Sequence, residues 1–532
     1  MAFGFVGVPL PLLAALVALL AVAVTRLWDY AIVRLIWRPY TVAKKFREQG
    51  IHGPSYRFMK GCNEDIKSMK GKTDSLVLDV HDHKYLPRIA PHYLKWRAQY
   101  GEPFLYWYGP QARICIFDYE LARQILSSKS GHFVKNDAHP TLLALVGKGL
   151  GFMEGTDWVR HRRIINPVFT IDKLKMMTKT MLSFAESMAK ELEEQVSING
   201  NGEIKVDINK YFSDLTVDNI SYAIFGSNYK LGKEVFQAQT DLLEITMATF
   251  LDVPIPGFKY LPTEGNQRKW KLERKLKSLL TQIIQPRLAS GAYGDDLLGV
   301  MLHSCSETKD GEKKQVDLSL SMEEIIHECK LFFFAGHENT ALLLTWSVYL
   351  LTINPEWQER LREEVLREFG RQSPDPNSLS KLKQARSSYI FMTMVLFETL
   401  RLYSPALFMQ RKTLADMTVG STKLPRGMAI VIPIPIMHRE KAVWGDDADE
   451  FNPLRFEKGI SAAAKVPHGL LAFSMGPRAC IGQNFSMLEA KSTLALMLQR
   501  FSFMLAPDYV HAPVDLFTLK PKFGLPVIVR PL

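Results

Sequence analysis

One uninterrupted helical pattern occupies the middle of this chain and limits how the rest can fold. It begins at Ser321, where Glu324 three residues later completes the signature of a capping box, and it stops at Asn354-Pro355. A helix of roughly 32 residues, at ~1.5 Å per residue, extends about 48 Å and would cross a whole domain. Because the pattern is apolar on nearly every side, we predict a buried helix around which the other elements pack.

The polar segment AGHENT interrupts this apolar helix. In one interpretation it is a polar patch that meets a neighbouring loop. In the other, Ala335 and Gly336 remove side-chain bulk where another group lies against the backbone. Glu338, Asn339 and Thr340 then supply polar groups beside it. The helix considered by itself favours neither interpretation.

The remaining sequence is mostly helical in pattern, with strand patterns in its early and late parts. Helical periodicity is found in ELARQILSS, TDWVRHRRIINPVF and RKWKLERKLKSLLTQIIQPRL, and strand patterns in EPFLYWYG, ARICIFD, MAIVIPIPI and GLPVIVR. Strands and helices do not alternate regularly enough for a doubly wound sheet, so the predicted fold class is mainly α with small β-sheets. At 532 residues, the chain can bury a large cofactor in one large, lobed domain or in two ordinary ones.

Charge and cysteine content argue against several function classes. The formal net charge of +11 is modest for this length, and acidic residues interleave with basic ones, so we expect no nucleic-acid partner. The five cysteines form no CxxC pair, which argues against a disulfide framework and a zinc knuckle and favours a reducing compartment. His337-Glu338 begins like the HExxH helix of zinc proteases, but Ala341 stands where the second histidine is required.

The amino terminus predicts a membrane anchor. Residues 3–24 carry no charge, and 22 such residues are enough to cross a hydrocarbon core of about 30 Å. A cleaved secretory signal is the alternative, since Ala21-Val22-Ala23 offers a cleavage pattern, but the stretch is long for a signal. Basic residues follow the stretch and none precedes it, which places the rest of the chain in the cytosol. The predicted divisions are an anchor over 1–25, a basic linker with Pro and Gly over 26–60, and a large domain over 61–532.

The segment FETLRLYSP places Glu398 and Arg401 three residues apart on a predicted helix, so the two side chains share a face. Such spacing usually gives a solvated surface pair. Here the flanking residues are apolar, which favours a buried ion pair with a structural role, because an unpaired buried charge is costly.

Near the carboxyl terminus, FSMGPRACIG places Cys480 immediately before a helical pattern. Free backbone N–H groups at a helix start, together with the charge of Arg478, stabilise a thiolate. Gly476 and Gly482 allow a tight turn and the close approach of a flat partner. A lone intracellular cysteine is most often a small buried apolar residue, but this setting favours a functional thiolate.

The sequence around these residues resembles that of the cytochrome P-450 superfamily. Its haem-binding signature F-x-x-G-x-R-x-C-x-G is matched at every fixed position by Phe473, Gly476, Arg478, Cys480 and Gly482. Further motifs of the superfamily are W-x-x-x-R at Trp158 and Arg162, the AGHENT segment, E-x-x-R at Glu398 and Arg401, and FNPLRF, in which Arg455 is in place but Leu454 departs from the usual P-E-R-F.

The resemblance implies a cytochrome P-450 fold with an N-terminal transmembrane helix and a haem-binding catalytic domain over 61–532. It implies haem b as cofactor, with Cys480 as the axial thiolate ligand of the metal. The implied site residues are the propionate partners Trp158, Arg162, Arg411 and Arg478; Phe473 beside the sulfur, with Gly482; Ala335 and Gly336 lining the oxygen pocket; Glu338 in proton delivery; and Glu398, Arg401 and Arg455 as a structural triad.

Stretches such as RPYTVAKKFREQGIHGPSYRFMKG and ECKLFFFAGHENTALLLTW look more specifically like the plant clan that includes secologanin synthase and hydroxylases of brassinosteroids, cytokinins and gibberellins. This resemblance implies a monooxygenase on the endoplasmic reticulum membrane, single-pass, with its catalytic domain in the cytosol. It would use O2 and electrons from NADPH-cytochrome P-450 reductase to oxidise an apolar terpenoid, steroid, fatty acid or plant hormone. Candidate substrate contacts lie in residues 130–150, 331–334, 406–409 and 516–518, whose apolar character also fits core packing.

One departure from the superfamily matters. Its central motif reads A/G-G-x-D/E-T, and this chain has Asn339 where that Thr belongs. Thr340 lies about 100° further round the helix and cannot simply replace it, although an amide can also donate a hydrogen bond. Relatives that rearrange fatty-acid hydroperoxides can dispense with the Thr, so this class is an alternative, and a non-catalytic haem sensor is another. Arg478, Glu338 and the normal signature spacing favour oxygenation.

Overall fold

The computed structural model describes residues 10–129, 131–226, 231–252, 257–306, 319–374 and 390–532, and most of these are helical. In chain order the helices are α1 (Leu10–Trp28), α2 (Arg38–Arg47), α3 (Asn63–Thr73), α4 (Leu86–Ile89), α5 (Pro91–Tyr100), α6 (Tyr119–Ser127), α7 (Pro140–Val146), α8 (Gly155–Ile165), α9 (Ile171–Asn199), α10 (Ile208–Phe225), α11 (Gly232–Thr249), α12 (Glu264–Ser290), α13 (Leu297–Ser306), α14 (Met322–Ile353), α15 (Pro355–Phe369), α16 (Ile390–Leu402), α17 (Ile434–Met437), α18 (Lys441–Trp444) and α19 (Gln483–Arg500). A π-helical segment, Asp29–Trp37, joins α1 to α2.

The strands within these residues form small sheets. They are β1 (Phe104–Tyr108), β2 (Gln111–Cys115), β3 (Phe133–Val134), β4 (Ile204–Asp207), β5 (Phe408–Thr413), β6 (Met417–Val419), β7 (Thr422–Leu424), β8 (Ala429–Pro433), β9 (Phe501–Leu505), β10 (Pro513–Leu516), β11 (Thr518–Pro521) and β12 (Pro526–Pro531). The largest sheet has the order β1-β2-β8-β5-β3, and its β2 and β8 run parallel with Ile114 opposite Ile430. Strands β4, β12 and β9 form a second sheet, while β6-β7 and β10-β11 are antiparallel pairs. The predicted class, mainly α with small β-sheets, is confirmed.

Helix α14 agrees with the central prediction, since it runs for 32 residues. The Ser321 hydroxyl accepts the Glu324 N–H, and the Glu324 carboxylate accepts the Ser321 N–H at 2.7 Å, so the predicted capping box is present. Helices α10, α16 and α19 and strand β9 pack against α14. Side chains such as Trp346 and Leu350 are therefore completely buried, which explains the apolar character on nearly every side.

The described part of the predicted anchor is helix α1, whose apolar side chains are exposed. It belongs to the helical run Pro11–Arg47, the one run among the described residues that is long and apolar enough to cross a membrane. The run continues past the predicted boundary at residue 25 into the predicted linker. At its far end, Val42 and Phe46 are buried in the globular part of the chain. Residues 3–9 of the predicted span lie outside the described residues.

Glu398 and Arg401 lie on α16 and are both completely buried. Arg401 donates from Nε to Oε2 and from Nη2 to Oε1 of Glu398, each at 2.7 Å, and Arg455 Nε lies 3.4 Å from the same carboxylate. Arg401 also donates to the carbonyl oxygens of His438 at 2.9 Å and Ala448 at 2.5 Å. One guanidinium therefore fixes the segment after β8 to α16.

The His438 ring extends this link towards Cys480. Burial and the charge of Arg401 lower the pKa of His438 to about 3, so the ring is neutral and carries one N–H. Its Nε2 accepts the Leu471 N–H at 2.8 Å, which leaves Nδ1 to donate to the Arg401 carbonyl oxygen at 3.1 Å. The loop that leads to Cys480 therefore begins against the buried ion pair.

Replacing Arg401 with Met should strongly destabilise the protein, because Glu398 would remain buried without its main charge partner. We expect a loss of about 3 to 5 kcal/mol in the free energy of unfolding, measured by urea denaturation of the detergent-solubilised chain. The matched control is Arg123→Met, which breaks an exposed pair with Glu120 at the same i,i+3 spacing and should leave the unfolding midpoint unchanged. Equal midpoints for the two variants would contradict the argument from burial.

Candidate functional site

Cys480 lies in a tight loop three residues before the start of α19. Its N–H donates to the Phe473 carbonyl oxygen at 2.9 Å, which closes the loop. Gly476 turns the chain with a φ of 71°, and a Cβ at this position would lie 2.6 Å from the Leu126 carbonyl oxygen. Only glycine fits such a turn and such a close approach. The loop therefore sits directly against the end of α6.

The Cys480 thiol is accessible, whereas three of the other cysteines are buried and Cys305 is half-buried. Burial raises the pKa of the Cys480 thiol above its ordinary value, and the backbone N–H groups of Gly482 and Gln483 and two nearby cations offset only part of this rise. The side chain is thus enclosed by protein and yet reachable. N–H groups and positive charge beside an accessible sulfur are suited to holding a thiolate that binds a metal.

Arg478 and Trp158 meet beside this loop. The Arg478 guanidinium lies over the Trp158 ring, 4.1 Å from its centroid, and donates to the Met153 carbonyl oxygen at 2.8 Å. It also forms an ion pair with Glu154. Arg162, one turn beyond Trp158 on α8, has its Nη1 3.5 Å from the Ala479 carbonyl oxygen. The W-x-x-x-R segment and the signature Arg therefore converge next to Cys480.

Arg411 on β5 completes the set of predicted cations. It is 3% exposed, and its Nη2 has no hydrogen-bond partner among the described residues. Burial lowers the pKa of Arg411 to about 10, and the nearby Arg478 charge adds to this effect. A buried guanidinium with an unpaired donor is stabilised by a nearby anion.

Lys135 is a fourth cation that the sequence did not single out. Burial lowers its pKa to about 7, and the charges of Arg411 and Arg478 act in the same direction. The Lys135 N–H donates to Glu154 Oε1 at 2.5 Å, so one carboxylate contacts both the Lys135 backbone and Arg478. A lone lysine in the sequence HFVKNDAHP gives no motif, and its position became visible only in the fold.

This cluster fits the haem that the sequence resemblance implies. Four cations, Lys135, Arg162, Arg411 and Arg478, lie near the thiol, and Glu154 is the one carboxylate paired with any of them among the described residues. The excess positive charge and the unpartnered Arg411 Nη2 match a cofactor with two carboxylates. The accessible Cys480 sulfur would supply the metal ligand.

On α14, Ala335 and Asn339 occupy one exposed side, one turn apart. Asn339 Nδ2 donates to the Ala335 carbonyl oxygen at 3.0 Å. Gly336 has a different neighbour, because a Cβ there would lie 2.4 Å from Ile220 Cδ1 on α10. The missing side chain of Gly336 therefore permits close helix packing, whereas Ala335 is exposed.

Thr340 does not face the Asn339 side. It is buried, and its hydroxyl contacts Ser486 Oγ on α19 at 3.0 Å and the Gly336 carbonyl oxygen at 3.2 Å. The rotation of about 100° between successive helix positions explains this difference. Thr340 therefore offers no hydroxyl at the position of Asn339.

Glu338 is tied to the β10-β11 hairpin. Its Oε1 accepts the Thr518 hydroxyl at 2.8 Å and lies 2.5 Å from Lys520 Nζ. Burial acts to raise the pKa of Glu338, but Lys520, the neighbouring His337 and the Thr518 hydrogen bond together lower it. The carboxylate is therefore held in its ionised form. Lys520 was not predicted, since nothing near it in the sequence forms a motif with Glu338.

A cavity of about 580 Å³ adjoins this cluster, and a second cavity of about 270 Å³ shares part of its lining. The larger one reaches Lys135 and Arg411, and the smaller one extends between β1 and helices α3 and α5. They share the lining residues Tyr108, Arg113, Phe250, Phe408, Gln410 and Phe517. Of the predicted substrate contacts, segments 130–150, 406–409 and 516–518 contribute to these cavities, and 331–334 does not.

Comparison with known proteins is consistent with this geometry. A family model described as Cytochrome P450 matches residues 87–525. The chain is 46% identical to Cytochrome P450 709B1 of Arabidopsis thaliana over 524 residues, covering 97% of this chain and 98% of the relative. It is 39% identical to Cytochrome P450 734A1 of the same plant, covering 94% and 93% of the two chains. It is also 39% identical to Secologanin synthase 1 of Catharanthus roseus, covering 96% of each.

Replacing Cys480 with Ser should abolish the reduced carbon monoxide spectrum typical of thiolate ligation, because a hydroxyl cannot provide the same ligand. The matched control is Cys305→Ser, which changes a half-buried cysteine away from the signature loop and should retain the spectrum. Spectra of the two purified variants at equal protein concentration provide the measurement. A thiolate-type spectrum from Cys480→Ser would refute the ligand assignment.

Proposed function

Because the chain belongs to the cytochrome P450 family, and is therefore a monooxygenase with a haem cofactor, we propose that it hydroxylates an apolar small molecule with electrons from NADPH-cytochrome P450 reductase. The observation that carries this proposal is the convergence of the accessible Cys480 sulfur and four cations beside the larger cavity. A thiolate-bound haem supplies O2 activation and O–O cleavage. We further propose haem b as the form of the cofactor.

Each predicted residue has a proposed role in that reaction. Cys480 binds the metal, and Phe473 and Gly482 flank it. The haem propionates are held by Trp158, Arg162, Arg411 and Arg478, together with Lys135. Ala335 lines the oxygen pocket, while Gly336 acts through the packing of α10 against α14. Glu338 delivers protons, with Asn339 in place of the usual Thr, and Thr340 supports α14 from the side of α19.

The apolar α1 is compatible with a membrane anchor, and we propose that it inserts into the endoplasmic reticulum membrane with the catalytic domain in the cytosol. Exposed apolar side chains along α1 support this placement. The exposed residues Trp28, Trp37 and Tyr40 follow the uncharged stretch 3–24, and aromatic side chains are commonly found at the level of the lipid headgroups. The divisions 1–25, 26–60 and 61–532 remain our domain proposal, with α2 joining the linker to the globular part.

The apolar cavity walls favour a terpenoid, steroid, fatty acid or plant hormone as substrate. Similarity to a secologanin synthase supports a plant small molecule. Rearrangement of a hydroperoxide is the second candidate function, because Asn339 replaces the Thr on which oxygenation ordinarily depends.

One experiment separates these functions. The purified enzyme is incubated with reductase, NADPH and candidate substrates, and NADPH consumption and products are both measured. A monooxygenase consumes NADPH and forms a hydroxylated product. A rearranging enzyme converts a fatty-acid hydroperoxide without NADPH, and a sensor does neither.

Asn339 should leave oxygen activation partly uncoupled, because the usual hydroxyl donor is missing and the Asn339 amide already donates to Ala335. Part of the NADPH consumed should then appear as hydrogen peroxide. Asn339→Thr should raise the ratio of product to NADPH, because it restores a hydroxyl donor. Substrate affinity should stay within about threefold, because Asn339 lines neither of the two cavities. A wild type that is tightly coupled, with a less coupled Thr variant, would show instead that Asn339 is an adaptation.

Lys520 should set the protonation state of Glu338. In Lys520→Met the main favourable charge is lost and burial dominates, so the pKa of Glu338 should rise and the pH at which coupling changes should move upward. The control is Lys522→Met, which removes a neighbouring cation paired with Asp74 instead. Identical pH profiles of product per NADPH for wild type and Lys520→Met would exclude this role.

A further inference from the structure

The buried arginines of the described residues divide into two groups. Five of them have a carboxylate oxygen within 4.0 Å; these are Arg88, Arg287, Arg362, Arg401 and Arg439. Arg411 and Arg113 have none among the described residues. Arg411 belongs to the cationic cluster beside Cys480, where a cofactor carboxylate would neutralise it. Arg113 lies outside that cluster and remains unexplained.

Arg113 is 8% exposed and lies on β2, opposite Tyr106 on β1. Its guanidinium lies over the Tyr108 ring, 3.9 Å from the centroid. Its hydrogen bond from Nη2 to Gln111 Oε1 is long at 3.4 Å, and its Nε has no hydrogen-bond partner among the described residues. Stacking and one weak hydrogen bond do not replace the solvation that a buried cation loses.

The guanidinium lines both cavities described above. In the smaller cavity the other charged groups, Lys70 and Asp515, lie 2.5 Å apart and neutralise each other. His92 is neutral because burial lowers its pKa well below the usual value. Arg113 is therefore the unbalanced charge among the described residues that line this cavity.

The surroundings of Arg113 are neutral donors and apolar rings. Burial raises the pKa of the Tyr106 hydroxyl, which Arg113 only partly offsets, so this group stays protonated. The Gln410 side chain lines both cavities, and Phe408 and Phe517 provide apolar walls. One cation with neighbouring hydroxyl and amide groups matches a single negative charge at the end of an apolar body.

We propose that the substrate is an apolar carboxylic acid whose carboxylate binds Arg113, with its apolar body extending through the larger cavity towards the cluster at Cys480. This inference rests on the proposed function and narrows it, because it names the chemical class of the substrate. A phosphate dianion is disfavoured because a second negative charge would have no partner in the smaller cavity. Oxidation then takes place on carbon remote from the carboxylate.

The test uses probes that bind whatever the natural substrate is. These are ω-imidazolyl alkanoic acids of increasing chain length and their methyl esters, whose imidazole ligates haem iron and produces a spectral shift. Titrations are made with the full-length wild type, Arg113→Met, Arg113→Lys and the control Arg123→Met, whose arginine is exposed on α6. Haem content is equalised by the reduced carbon monoxide spectrum.

At the best chain length, the wild type should bind the acid about tenfold or more tightly than its ester, as a charge-assisted hydrogen bond implies. Arg113→Met should abolish this preference and leave ester affinity within about twofold, while Arg113→Lys should retain part of it because it keeps the charge but loses the planar fork. Arg123→Met should match the wild type.

Two outcomes would overturn the inference. A wild type without acid preference at any chain length would show that Arg113 recognises no carboxylate. Equal weakening of acid and ester in Arg113→Met would show that the guanidinium only supports Tyr108. A wild type with neither an imidazole shift nor a thiolate-type carbon monoxide spectrum would refute the haem site itself, and so is distinguishable from failure of the substrate class alone.

Discussion

The buried ion pair of Glu398 and Arg401 is the interaction on which the functional loop depends. Neither charge reaches solvent, so each must be satisfied within the protein, and Arg401 uses its remaining donors on backbone oxygens that follow β8. The neutral His438 then accepts the N–H of Leu471, just ahead of the Cys480 loop. A charge cluster on α16 thus fixes the starting point of the loop through a short series of buried hydrogen bonds. Such a series tolerates little change, because each orphaned polar group carries its own desolvation cost.

The requirement that a buried charge have a partner also identifies where ligands bind. Most buried guanidinium groups in the described residues have carboxylate partners, so Arg411 and Arg113 differ from the rest of the fold. Arg411 accompanies the thiol and the other cations, which is the arrangement a cofactor with two carboxylates requires. Arg113 lines both cavities, where an unbalanced charge can discriminate among apolar molecules by the group at their end.

Because successive residues of helix α14 point in different directions, neighbouring residues of its polar segment have different roles, some in packing and some in chemistry. Gly336 and Thr340 contact neighbouring helices through Ile220 and Ser486, whereas Ala335 and Asn339 remain on the more open side. Adjacent residues of one motif therefore serve different purposes. The replacement at Asn339 falls on the open side, so it affects chemistry more directly than packing.

The sequence by itself determined the features that local pattern encodes. The length and capping of α14, the i,i+3 placement of Glu398 and Arg401, and the loop around Cys480 each depend on residues close together in the chain. Only the tertiary structure decided the roles of Lys135, Lys520 and Arg113. Each is a single basic residue in a segment without a motif, and its role depends on which charged groups surround it in the fold. Those charges come from strands and helices far apart in the sequence. No local spacing could therefore show that Lys520 has a carboxylate partner in Glu338 and that Arg113 has no carboxylate partner among the described residues.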